Sequence, residues 1–239
     1  LTPHLTTRRM HPCGNSTGRG AREGWGGGAR IVFREPCGRR RRGPSIGWPN
    51  SMIQLPRIAL GTVQADAETR PMAWALSEAF RRIDVGVQSF LSRAHFSAGG
   101  MATGINGRSP RHLDSWLMSA DACRALFVYG ARSADLAVVE GRFSSSSEED
   151  GGGQLEPLCQ WLDLPRVVVL DVTHLEDCRL PNIPPHTAGI LLDGFAGARQ
   201  FSRLATNLES IFRVPVLGGL ERMPLLRGAI ARASQEQRI

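Results

Sequence analysis

The apolar runs at Arg166–Asp171 (RVVVLD), Asp135–Glu140 (DLAVVE) and Thr187–Asp193 (TAGILLD) constrain the fold more than any other feature. A near-continuous apolar strand belongs in a parallel sheet covered on both faces. Shorter apolar segments at 57–60, 85–90 and 214–217 are expected to add strands. Amphipathic stretches at Pro71–Ile83, Ala120–Tyr129, Gln154–Leu162 and Ala198–Phe212 read as helices, and Met223–Ala233 as a terminal one. In the first, Trp74, Leu76, Phe80 and Ile83 are the candidate inward residues, and Pro71 suits the first helical turn. Strands alternating with helices predict an α/β domain, a mostly parallel sheet with helices on both faces. No internal repeat interrupts the pattern.

Charge divides the chain in two. Residues 1–51 carry ten Arg against Glu23 and Glu35, a net of +8. Residues 52–239 hold 19 basic and 20 acidic side chains, a net of −1. The segment 1–51, rich in Gly, Arg and Pro, lacks the periodic apolar pattern that would offset its ordering entropy, and is expected to be a disordered tail. Residues 52–239 are expected to form the folded domain. Any nucleic-acid contact is expected only through the tail, chiefly Arg39–Arg42. No apolar run nears the roughly 20 residues of a membrane span, and residues 1–30 lack a signal-peptide core. The expectation is a cytoplasmic protein with no membrane partner.

All 29 basic residues are Arg, which excludes a Schiff-base lysine and a phosphate-loop lysine from this chain. The five cysteines at 13, 37, 123, 159 and 178 show no zinc-ligand spacing, and 123 and 159 are expected to be reduced thiols in helices.

In an open parallel sheet, ligands sit beyond the carboxyl ends of the strands. The first strand ends at Gly61, and about eight loop residues precede a helix. That is the placement of a phosphate loop, which works by close backbone approach to phosphate. The segment reads Gly61-Thr62-Val63-Gln64-Ala65-Asp66-Ala67-Glu68-Thr69-Arg70. It resembles G-T-x-S-G-x-G-K-T-T, the opening of cobyrinic acid a,c-diamide synthases and their dethiobiotin-synthetase-like relatives. Later segments match in order. Val87-Gln88-x-Phe90 is similar to V-Q-P-F-K, and residues 107–116 (GRSPRHLDSW) to G-R-P-S-R-N-L-D-P-W. Residues 134–141 (ADLAVVEG) match A-D-L-A-V-V-E-G. The resemblance covers about residues 55–222.

The resemblance implies a P-loop NTPase-like nucleotide-binding domain that uses ATP and Mg to activate a corrinoid carboxylate, in cobalamin biosynthesis. In the family a separate glutamine amidotransferase domain supplies ammonia; with the sequence ending at Ile239, that domain is expected to be missing. Gly61, Thr62, Thr69, Arg70 and Asp193 are the implied nucleotide-site positions. Glu140 is placed as a magnesium ligand or water-orienting carboxylate, or else as a solvated strand-end acid. Thr69 aligns with the magnesium-holding hydroxyl, though a plain helix N-cap is the simpler reading. Arg111, Asp114 and Trp116 fall on the implied substrate side. Asp171 is expected to cap the turn after its strand.

The departures point to a degenerate site. The family's inner loop glycines correspond to Ala65 and Ala67, and its lysine to Glu68. Two carboxylates correspond to His95 and Ala98, a second lysine to Leu91, and the base-reading Asn to Asp193. At roughly 4 Å and an effective dielectric near 20, each like-charge pair between Glu68 and a triphosphate opposes binding by about 4 kcal/mol before screening. The expected function is a domain without ordinary ATPase or ligase activity, acting as scaffold, regulator or binding module. Its partners would be a second copy or a cobalamin-pathway protein, with a small carboxylate as ligand. The alternative is a divergent ATP-dependent ligase using Arg70 in place of lysine.

Overall fold

The computed structural model describes residues 31–33, 55–64, 67, 69–93, 107–143, 153–175, 180–225 and 227–228. Its strands are β1 (Ile31–Phe33), β2 (Arg57–Thr62), β3 (Val87–Leu91), β4 (Arg111–His112), β5 (Leu136–Arg142), β6 (Arg166–Asp171), β7 (Thr187–Phe195) and β8 (Val216–Glu221). The helices are α1 (Arg70–Arg81), α2 (Ala120–Ala131), α3 (Leu155–Leu162) and α4 (Ala198–Phe212). One sheet runs in the order β1-β8-β7-β6-β2-β5-β3-β4, antiparallel only between β1 and β8. The expected α/β fold is therefore present, with seven strands in parallel.

Side-chain alternation explains why the strands are apolar throughout. Val167 and Val169 point to the face covered by α1, while Val168 and Leu170 point to the face carrying α2, α3 and α4. The α1 face gathers Leu60, Met72, Leu76, Val138 and Leu191. The opposite face is deeper, with Phe90, Phe127, Leu158, Ile190, Phe195 and Phe201. Both faces exclude water, so neither can carry polar alternation.

Element boundaries shift in ways that bear on the site. The α1 helix stops at Arg81, so Ile83 lies past its end and is 60% exposed instead of turned inward. Of the other expected inward residues Leu76 is buried, but Trp74 and Phe80 are only partly so, while small Ala73, Ala75 and Ala79 are buried. The β2 strand runs through Gly61 to Thr62, and β5 runs past Glu140 to Arg142, paired as Gly61↔Gly141 and Thr62↔Arg142. Arg111–His112 forms the short edge strand β4 against Phe90–Leu91.

One segment read as tail joins the sheet: Ile31–Phe33 pairs with Leu220–Gly218 of β8. Three β-prone residues among Gly and Arg are too few to show a period. The rest of the 1–51 segment, including Arg39–Arg42, lies outside the described residues, as do Ala65, Asp66, Glu68, His95, Ala98 and 229–239. The expected terminal helix is helical at 224–225 and 227–228. Cys123 and Cys159 are buried free thiols on α2 and α3, as expected, and burial pushes the Cys159 thiol up to about 12. No described helix is long and apolar enough to cross a membrane.

Candidate nucleotide-binding end

The carboxyl ends of β2, β5, β6 and β7 lie side by side and bring Thr62, Glu140, Asp171 and Asp193 to one edge of the domain. The loop from β2 to α1 opens over this edge. Two of its described backbone N–H groups are taken by partners close by in the chain. The Gln64 N–H donates to Thr62 Oγ1 at 3.1 Å, and the Ala67 N–H donates to the Gln64 carbonyl at 3.3 Å. A phosphate cradle needs backbone N–H groups pointing outward to the anion. These two point inward. Ala67 is also 5% exposed, its methyl packed into the protein.

The Gln64 side chain does what a further β2 residue would do. Its Nε2 donates to the Asp171 carbonyl at 3.0 Å, and its Oε1 accepts from the Asp171 N–H at 2.8 Å. The β2–β6 ladder stops at Thr62↔Val169, so this amide adds a rung beyond it and fastens the loop to β6. Asp171 also behaves as expected: its Oδ1 accepts from the Thr173 N–H at 2.9 Å and hydroxyl at 2.6 Å, capping the 3-10 turn Val172–His174.

Gly61 has a packing reason of its own. A Cβ there would stand 2.7 Å from Leu155 Cδ2 and 2.9 Å from Phe143. Thr62 is buried and bonded to Gln64. Thr69 stands at the N-cap position of α1 in αR conformation, yet its side chain makes no capping hydrogen bond, so the plain N-cap reading does not hold. Cap hydroxyls act from extended backbone, which Thr69 lacks.

Glu140 is partly buried, and loss of solvent pushes its carboxyl up to about 7, opposed by the positive charge of Arg70. That opposition places Arg70 on the Glu140 side of the α1 start. Asp193 is 1% exposed and lies in an ion pair with Arg227, contributed by the segment after β8. Desolvation pushes Asp193 up to about 6 even so, because Arg227 offsets only part of it and Asp171 adds repulsion. Among the described residues no three His, Cys, Asp or Glu side chains converge to hold a metal. Magnesium on nucleotides commonly takes only one or two protein ligands, with phosphate and water completing its shell, so Glu140 and Thr69 would have to serve in that manner.

The implied substrate-side residues separate. Asp114 is buried, and its Oδ1 accepts from the Trp116 and Leu117 N–H groups at 2.9 and 3.3 Å, fixing the loop. Trp116 itself is 72% exposed. Arg111 turns beneath α2 to stack on Tyr129, with 5.1 Å from guanidinium to ring centroid.

Sequence comparison bears directly on this geometry. The chain is 23% identical over 181 residues to the cobyrinate a,c-diamide synthase of Dehalococcoides mccartyi strain CBDB1, covering 71% of this chain and 39% of that one. It is 26% identical over 179 residues to the same-named protein of Magnetococcus marinus, covering 71% and 38%. The chain is cobyrinate a,c-diamide synthase-like. A hydrogenobyrinate a,c-diamide synthase of Streptomyces coelicolor is 27% identical over 179 residues, covering 70% and 37%. The cobyrinate-synthase-like region thus spans about two-fifths of the length of these relatives. No family model matches the chain. Among solved structures, the chloroplast FtsY of Physcomitrella patens superposes at TM-score 0.46 with 12% identity, covering 78% of this chain and 65% of that one. The α/β fold rests on the parallel sheet itself.

The sequence singles out Glu140, Arg70 and Asp193 as candidates but not Gln64 or Arg227. Neither had a local signal. Gln64 acts on a backbone 107 residues away, and Arg227 on a side chain 34 residues away.

Proposed function

We propose that this is a cobyrinate a,c-diamide synthase-like domain, related to cobalamin biosynthesis, whose nucleotide end has closed. It acts as a binding or scaffolding unit instead of an ATP-dependent ligase. ATP and Mg are what the resemblance implies, but the described residues fit a triphosphate poorly. The observation that carries this reading is the inward commitment of the loop: Gln64 N–H to Thr62, Ala67 N–H to Gln64, and the Gln64 amide to Asp171. The Asp193–Arg227 pair supports it from the other side, since it occupies the position that the resemblance assigns to base reading. The absence of lysine removes the usual point charge for the terminal phosphates.

Turnover and reversion test this. ATP hydrolysis by the full chain should not exceed a buffer blank. Replacing Ala65, Ala67 and Glu68 by Gly, Gly and Lys should restore measurable nucleotide binding, whereas Glu68→Lys alone should restore little, because added Cβ atoms still obstruct the loop. Turnover above the blank by the unaltered chain would contradict the proposal.

One observation favours a second reading. Arg70 stands close enough to Glu140 to lower its pKa, so a cation is present where phosphate charge would fall. A divergent ligase would use Arg70 in that role, and Arg70→Ala would then abolish nucleotide binding.

A further inference from the structure

A cleft of about 520 Å³ opens between the C-terminal end of α2 and the start of β4, lined by Gln88, Arg108, Arg111, Tyr129, Arg132 and Ser133 among others. It lies away from the nucleotide end. Gln88 is the second residue of β3, three positions before Leu91, which pairs with Glu140. At about 3.3 Å per residue that is roughly 10 Å back along the strand.

Three positive charges meet here. The Arg111 and Arg132 guanidinium groups lie over the same Tyr129 ring, 5.1 and 4.4 Å from its centroid. Arg108 enters from the strand side and donates through Nη2 to the Ser133 carbonyl. Its Nη1 is buried and has no hydrogen-bond partner among the described residues. Among the described residues none of the three arginines is in an ion pair. A neighbouring carboxylate, Asp135, accepts from the Gly86 N–H at 2.8 Å. The carbonyls at the end of α2 add about half a negative charge, and three full positive charges outweigh that and the Asp135 carboxylate together.

We propose that this cleft binds a small molecule through an oxyanion, either a phosphate or a carboxylate group. A buried guanidinium nitrogen without a partner is costly, and an anionic oxygen is the acceptor it best matches. The same anion relieves the repulsion between Arg111 and Arg132. The cleft is the size of a small-ligand site. The body that carries it has a net charge of −1, which disfavours a polymeric anion needing an extended basic track. The proposal does not rest on the state of the nucleotide end.

Tyr129 is the chain's only tyrosine, so full-length protein made with 3-fluorotyrosine carries one fluorine probe inside the cleft. Inorganic phosphate and citrate are titrated separately against it, with sodium chloride at matched ionic strength as control. The expected result is a saturable fluorine shift with one anion or both, the effective one identifying the group. Its midpoint moves at least tenfold higher in Arg108→Gln and in Arg132→Gln, and is unchanged in Arg203→Gln on α4. Arg132 is exposed, so its variant keeps the fold. Three results would overturn the proposal: no saturable shift with either anion up to about 10 mM, a shift matched by sodium chloride, or equal midpoints in all three variants.

Discussion

The side-chain amide of Gln64 exchanges both a donor and an acceptor bond with the backbone of Asp171, at 3.0 and 2.8 Å. Strand residues pair with their neighbours in this way; here a side chain from a loop does it. The bond pair ties the chain just past the end of β2 to the end of β6.

Gln64→Ala should lose both bonds and leave the Asp171 N–H and carbonyl to find water. We expect a loss of about 1–3 kcal/mol in urea unfolding. Gln64→Glu keeps the acceptor but loses the donor, and should fall between. A wild-type midpoint in Gln64→Ala would mean the clamp does not hold the loop.

Gly61→Ala separates two explanations of one glycine. Its Cβ would collide with Leu155 and Phe143 in the core beneath α3. Overpacking of this kind typically costs about 1–3 kcal/mol. Thermal or denaturant unfolding should show that loss with no nucleotide present. A stable Gly61→Ala protein would return the residue to the phosphate-loop role alone.

Asp193 and Arg227 should behave as a coupled pair. Removing the cation in Arg227→Ala leaves a buried carboxylate, with a cost near the lower end of about 3–5 kcal/mol because Arg227 is itself partly exposed. The cost should be larger at pH 8, where Asp193 is ionised, than at pH 5, below its value of about 6. Adding Asp193→Asn to Arg227→Ala should recover much of the loss. Equal losses at both pH values would contradict the pairing.

Glu140 gives a pH dependence of its own. Its folded pKa, about 7, lies above the ordinary 4.5, so the folded state holds a proton that the unfolded chain releases. The stability this contributes is complete below about pH 4.5 and is lost as pH rises towards 7. Urea midpoints measured from pH 4.5 to 8 should therefore fall with pH more steeply in wild type than in Glu140→Gln. A slope unchanged by the substitution would show that Glu140 titrates normally.

Much of this was legible in the sequence because it depends on burial. Strands covered on both faces must be apolar along their length, which is why RVVVLD, DLAVVE and TAGILLD announced a parallel sheet and placed Glu140 and Asp193 towards the carboxyl ends of their strands. Glycine is ambiguous: Gly61 invites a phosphate-loop reading, and only the coordinates of Leu155 and Phe143 reveal the steric demand. Long-range polar contacts leave no periodic trace, so Gln64–Asp171, Asp193–Arg227 and the Arg108 Nη1 left without a partner among the described residues could be found only in three dimensions. The edge strand at Ile31–Phe33 escaped because three residues cannot display alternation.

The most direct measurement of the central claim is calorimetric titration of the full chain with ATP, with and without magnesium. With the Gln64 and Ala67 N–H groups already bonded within the protein, and no lysine in the chain, no saturable heat is expected in the micromolar range under either condition. Saturable micromolar binding that requires magnesium and is lost in Glu140→Gln would contradict it, and would show a working nucleotide site.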